Sequence, residues 1–257
     1  MENNKNSIGF LDSGVGGISV LKEAVKLLPN ENYIYFGDSK NAPYGTKTLK
    51  EVQRLTFDAC QLLIEQNVKA LVVACNTATS AAINELREKY KSIPVIGIEP
   101  ALKPAVELNR KGKIIVMATT MTLAEKKFSD LMLNYEKIAD IAPLPCPGLV
   151  ELIEKGIIEG IELENYIRAR FSGFLKGDIA AVVLGCTHYP FVKNKLKNYL
   201  GEDTPILDGS IGTAKYLRKQ LNKFEILNSN EQMGRVKMLN SLDNPKIIEL
   251  SYKLFAL

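Results

Sequence analysis

Short, mostly apolar runs recur along the chain, each followed by a longer stretch whose apolar residues fall three or four apart. Ile8 to Leu11, Tyr33 to Phe36, Ala70 to Ala74, Val95 to Ile98, Lys113 to Met117 and Ile179 to Leu184 read as strands. Their alternation with helical stretches predicts α/β architecture with parallel sheets. ALVVA and AAVVL show no polar face, as expected of a sheet covered by helices on both sides. Thr48 is placed to cap a helix on which Val52, Leu55, Ala59 and Leu62 share a face. Asn76 or Thr77 is placed to cap another, carrying Ala81, Ile83 and Leu86. Pro100, Pro104, Pro143, Pro145 and Pro147 punctuate the middle, and Glu99-Pro100 reads as the passage between two lobes. With 257 residues each lobe can bury its own core. The expected division is residues 1–98 with a returning 208–257, and residues 99–207.

Two segments echo one another: LVVACNTATSAA and VVLGCTHYPFVK. Each has a buried strand, then a cysteine, then hydroxyl or amide side chains opening a helix. That plan suggests two similarly built lobes whose strand C-termini face each other across a cleft, the edge at which open α/β sheets bind ligands. Cys75 and Cys186 stand at those junctions, where a helix N-terminus lowers a thiol's pKa and supplies thiolate. Taken singly, either reads first as an inert buried thiol, the commoner fate of such a residue; the matched placement points instead to a pair of bases or nucleophiles. Cys60, inside a helical pattern, and Cys146, between two prolines, lack such a terminus and read as structural.

Asp12 ends the first strand in FLDSGVGG, where it either caps the next helix or serves a neighbouring thiol. Gly14, Gly16 and Gly17 would let backbone approach a ligand closely. The nucleotide pattern GxGxxG fails at Ser19 and no Walker lysine follows, so no nucleotide cofactor is expected. His188 is the sole histidine and lies two residues past Cys186, where it can tune or relay a thiol proton. Zinc held by Cys75, Cys186 and His188 would need an unusual ligand spacing, so no metal is expected. GDSKNAPYGT leaves the second strand either as a surface loop or as a pocket wall containing Tyr44 and Gly45.

Composition narrows the setting. Apolar residues are 46% and charged residues 24% of the chain, which excludes a disordered segment, and the apolar runs are strand-sized rather than membrane-sized. Net charge is +4, with lysines spaced along helix faces rather than in a basic stripe, so neither nucleic acid nor membrane is an expected partner. The four cysteines form no CxxC pair, and MENNKNSIGF lacks a signal-peptide core; the expectation is a cytoplasmic protein with free thiols.

DSGVGG at Asp12 to Gly17, PYG at Pro43 to Gly45, ACNTAT at Ala74 to Thr79 and LGCTHYP at Leu184 to Pro190 occur in the order found in bacterial glutamate racemases, which the chain closely resembles. The resemblance fades after Gly212, and the tail from Phe224 carries no motif. It implies a two-lobed, pseudo-twofold α/β enzyme, a homodimer without cofactor or metal, interconverting L- and D-glutamate for peptidoglycan precursors in the cleft between its lobes. By the same resemblance, Cys75 takes the α-proton from D-glutamate and Cys186 takes it from L-glutamate. Asp12 supports the first thiol; His188 with an acidic residue supports the second. That acid is Glu154 when CPGLVELIEKG is aligned by its cysteine and final glycine, with Glu151 the alternative. Implied substrate contacts are Asp12, Ser13, Tyr44, Gly45, Asn76, Thr77, Thr119, Thr187 and His188, with Thr122 near Thr119. Two thiols suit the chemistry, since inverting a stereocentre by proton exchange needs a base on one face and an acid on the other. Rival readings are a racemase for aspartate or another small acidic amino acid, a cysteine hydrolase using Cys186 and His188, and a binding protein for an acidic metabolite.

Overall fold

In the computed structural model, which describes residues 2–124 and 126–257, the six apolar runs are strands, and three further strands join them. In chain order the first part contains β1 (Ile8–Asp12), α1 (Ile18–Leu27), β2 (Tyr33–Gly37), α2 (Leu49–Glu65), β3 (Ala70–Val73), α3 (Asn76–Lys89) and β4 (Val95–Gly97). The second contains α4 (Leu102–Glu107), β5 (Lys113–Ala118), α5 (Thr120–Ala124), α6 (Lys126–Leu133), β6 (Asp140–Pro145), α7 (Leu149–Glu154), α8 (Ile161–Phe171), β7 (Ile179–Leu184), α9 (Lys193–Leu200) and β8 (Ile206–Asp208). α10 (Ser210–Lys223), β9 (Val236–Asn240) and α11 (Pro245–Ala256) complete the chain.

Two sheets result, ordered β4-β3-β1-β2-β9 and β6-β5-β7-β8, with every pairing parallel. Each is the core of a lobe and is covered by helices. β1, β2, β3 and β7 are buried at every position, which explains their unbroken apolar sequence. β6 carries Pro143 and Pro145 and lies at a sheet edge, where a missing N–H is tolerated. β9 comes from the motif-free tail and pairs with β2 from Tyr33↔Val236 to Gly37↔Asn240.

Thr48 caps α2 as expected, accepting the Glu51 N–H at 3.3 Å. The cap of α3 is not Asn76 or Thr77 but Cys75, whose sulfur accepts the Ala78 N–H at 3.4 Å. β3 ends at Val73, so the chain becomes helical one residue sooner than the polar side chains suggest. The helix expected directly after Cys186 is also displaced: a turn and a 3₁₀ segment, Tyr189–Val192, precede α9. Pro190 disfavours α conformation in the residue before it, so the regular helix waits until Lys193.

At the opposite, N-terminal edge of the first sheet, Lys69 and Glu31 form an ion pair at 2.6 Å with both side chains only 1% exposed. Lys69 also donates to the Ile226 carbonyl at 2.9 Å, and Glu31 accepts the Asn228 N–H at 2.8 Å. The returning tail is thereby fastened beneath the strands, leaving their C-terminal edges to the cysteines. Among the described residues no helix is long and apolar enough to cross a membrane.

Candidate active site

The C-terminal ends of β1, β3 and β7 bring Asp12, Cys75 and Cys186 to one region between the lobes. Asp12 is wholly buried. Its Oδ1 accepts the Gly14 N–H at 3.0 Å, and its Oδ2 accepts the Thr187 hydroxyl of the other lobe at 2.9 Å. Burial raises the Asp12 pKa, and the opposing pull of His188, Thr187 and Gly14 offsets this only in part.

Cys75 lies 3.6 Å from the Ser13 hydroxyl as well as against the Ala78 amide. Sequence reasoning expected its helix N-terminus to lower the thiol pKa. The donors do act in that direction, but burial and the charge of Asp12 outweigh them and push the thiol up to about 12. Cys186 is near enough to add to the same upward push. These surroundings favour the Cys75 thiol over its thiolate.

The second sulfur has different company. Cys186 Sγ is 3.7 Å from His188 Nδ1, and His188 Nε2 is 2.6 Å from Glu154 Oε1. Burial works against a histidine cation, yet hydrogen bonds and charge from Cys186 and Glu154 outweigh it and hold the His188 pKa well above its usual value. For Glu154 burial acts upward, but His188, the Val15 N–H at 2.7 Å and the Ser39 hydroxyl at 3.0 Å prevail and lower its pKa. Of the two candidate acids, Glu154 is the one that meets His188.

Gly14 and Gly16 were expected to bring backbone close to a ligand. What they admit is protein: a Cβ at Gly14 would overlap the Glu154 carboxylate, and one at Gly16 the His188 ring. Both side chains come from the opposite lobe.

A cluster of hydroxyls also spans the lobes. Thr77 lies 3.3 Å from Thr119 and 3.0 Å from Thr122, and those two are 2.9 Å apart. Gly45 packs against Thr119. Tyr44 is buried, its phenol donating to Asp38 Oδ2 at 2.7 Å. Asn76 is buried, and its Oδ1 has no hydrogen-bond partner among the described residues. Beside it a cavity of about 180 Å³ opens, bordered by Asn76, Thr122, Glu99, Asp130 and Asn134. The predicted site residues thus gather at one place, whereas Cys60 and Cys146 do not join them. Those two are buried thiols pushed up to about 12, chiefly by desolvation.

Sequence reasoning missed Asp38 and Ser39. Asp38 donates its N–H to the Asp12 carbonyl at 2.9 Å while fixing Tyr44. Its signal was a polar residue directly after a fully apolar strand. The arrangement offers two sulfurs with separate supports, Asp12 and Ser13 at one and His188 with Glu154 at the other. Among the described residues no group of three or more His, Cys, Asp or Glu side chains could hold a metal ion.

The family model described as Asp/Glu/Hydantoin racemase matches residues 9–216. The glutamate racemase of Clostridium acetobutylicum is 63% identical over 252 residues, covering 98% of each chain. That of Clostridium novyi is 61% identical over 258 residues, covering 100% of each. Among solved structures, the glutamate racemase of Francisella tularensis subsp. tularensis SCHU S4 in complex with D-glutamate is similar with a TM-score of 0.84 and 30% identity, over 99% of this chain and 95% of that one.

Proposed function

Because the chain belongs to the Asp/Glu/Hydantoin racemase family, we propose that it is a cofactor-independent glutamate racemase in which Cys75 and Cys186 exchange the substrate's α-proton. The observation that carries this reading is the pair of cysteines at corresponding strand ends, each supplied with its own polar support. From D-glutamate, the Cys75 thiolate takes the α-proton while the Cys186 thiol gives its proton to the opposite face. L-Glutamate leaves, with Cys75 now the thiol and Cys186 the thiolate; this form takes L-glutamate back to D-glutamate, and proton exchange with solvent returns it to the starting pair.

The substrate helps to ready its own base. Burial and Asp12 hold Cys75 protonated, and an ammonium group arriving beside them favours both the Asp12 carboxylate and the Cys75 thiolate. Without an electron sink the developing carbanion must be stabilised through the substrate carboxylate, a task suited to Asn76, Thr77 and Thr187. Ser13, Tyr44, Gly45, Thr119 and His188 complete the contacts on this reading. The lobes then divide as residues 1–98 with 208–257 and residues 99–207, and closing them excludes water. The enzyme works in the cytoplasm as a homodimer and supplies D-glutamate for peptidoglycan precursors.

In deuterium oxide, either enantiomer of glutamate should acquire α-deuterium as it racemises, followed by NMR. A protein that only binds glutamate would leave the α-hydrogen in place, and that result would overturn the proposal. Faster exchange into aspartate than into glutamate would reassign the substrate.

A further inference from the structure

The end of β9 is stitched to the loop after β2 just behind Glu154. The Ser241 N–H donates to the Gly37 carbonyl at 2.9 Å, and the Lys40 N–H donates to Ser241 Oγ at 3.0 Å. Between them Asn240 Nδ2 donates to Ser39 Oγ at 2.9 Å. The polarity of this last bond is fixed, because Asn240 Oδ1 already accepts the Leu242 N–H at 2.9 Å and its amide group therefore faces Ser39. With that lone pair of Ser39 engaged, its single proton goes to Glu154 Oε2, 3.0 Å away. The other carboxylate oxygen receives the Val15 N–H and meets His188, which reaches Cys186.

We propose that Ser39 and Asn240 are positioning residues for the second thiol: they hold Glu154 at one setting, and through it His188 beside Cys186. This rests on the racemase reading above and gives a catalytic purpose to a tail that carries no motif. Ser39 is the hydroxyl that stops the carboxylate from turning about its own axis; without it Oε1 is anchored and Oε2 swings. Other ionisable groups near Glu154 are His188, Asp12 and Tyr35, with Cys186 beyond His188, and none of them supplies a neutral donor to Oε2.

The test is steady-state kinetics on the parent, Ser39→Ala, Ser39→Thr and Asn240→Ala, with ordinary and α-deuterated substrate, starting from each enantiomer. Mirror-image substrates have equal free energy, so any loss in kcat/KM must be the same in both directions. Ser39→Ala should lower it roughly tenfold, the scale of one hydrogen bond to a charged group, and Asn240→Ala about threefold. The discriminating signal is asymmetric: the isotope effect should rise from L-glutamate, where Cys186 takes the proton, and fall from D-glutamate, where abstraction by Cys75 is no longer the slower step. The acid limb of the kcat/KM profile should also move to higher pH, because ionised Glu154 has lost a donor. Ser39→Thr should restore most of both. The isotope effect is a ratio independent of the amount of active enzyme, so it remains readable even if a variant folds poorly. Parent-like isotope effects and pH profiles in Ser39→Ala and Asn240→Ala would overturn the inference, as would a Ser39→Thr variant no better than Ser39→Ala. A parent that exchanges no α-hydrogen would instead remove the racemase reading beneath it.

Discussion

Each sulfur depends on neighbours that the other does not share, so the two should fail separately when altered. Cys75→Ser and Cys186→Ser should each lower net racemisation by about 10²–10⁴-fold, the usual contribution of a positioned acid or base, while thermal melting stays near that of the parent. Polarimetry measures the first and circular dichroism the second; full activity in either variant would end the two-base scheme. Gly16→Ala tests the interlobe fit, since its methyl group would displace the His188 ring. A shift of that kind should cost about a hundredfold in kcat. The His188 and Glu154 pair also makes stability depend on pH in a definite direction. Glu154, with its pKa lowered, contributes stability above its unfolded value of about 4.3 and loses it as pH falls through the folded value. His188, with its pKa raised, contributes fully below about 6.5 and loses that contribution as pH rises through the folded value. Asp12, raised by burial, opposes Glu154 by costing stability as it ionises. The urea-midpoint difference between parent and His188→Gln should therefore be greatest between about pH 5 and 6.5 and shrink above that range.

At the scale of elements, the Lys69–Glu31 pair fastens the tail to the strand edge, and its worth can be measured directly. Lys69→Met leaves Glu31 charged and buried, which should cost about 3–5 kcal/mol in urea denaturation, while adding Glu31→Leu should recover much of the loss. The six strands readable in sequence are those whose covered faces demand continuous apolar residues. β6, β8 and β9 were not readable for the opposite reason: they have partly exposed positions, and β6 contains prolines that imitate a loop. Asp12, Cys75, Cys186 and His188 could be found because their residue types are reactive and they stand at or just past strand ends. Ser39 and Asn240 could not, since their pairing joins positions 201 residues apart and follows from how β9 docks on β2. The thiol pKa was misjudged for an energetic reason. A helix terminus acts locally, whereas burial and the charge of Asp12 come from tertiary packing, once β1 and β3 lie side by side and the site is covered.

Over the whole molecule the lobes are joined by polar contacts at the site itself: Asp12 with Thr187, Val15 with Glu154, Ser19 with the Thr187 carbonyl at 2.8 Å, and Thr77 with Thr119. On the racemase reading, substrate entry parts some of these bonds and closure of the lobes about it restores them. Hydrogen exchange at the Val15 amide should accordingly slow when glutamate is added at saturation; an unchanged rate would mean that the lobes stay joined without it. The histidine clasped between Cys186 and Glu154 has a practical consequence, because it is the sole imidazole in 257 residues. Nitrogen-15 label placed in histidine rings would produce one spin system for the entire enzyme, already assigned by elimination. Its two nitrogen shifts and their proton couplings would report, during turnover, which sulfur carries the hydrogen.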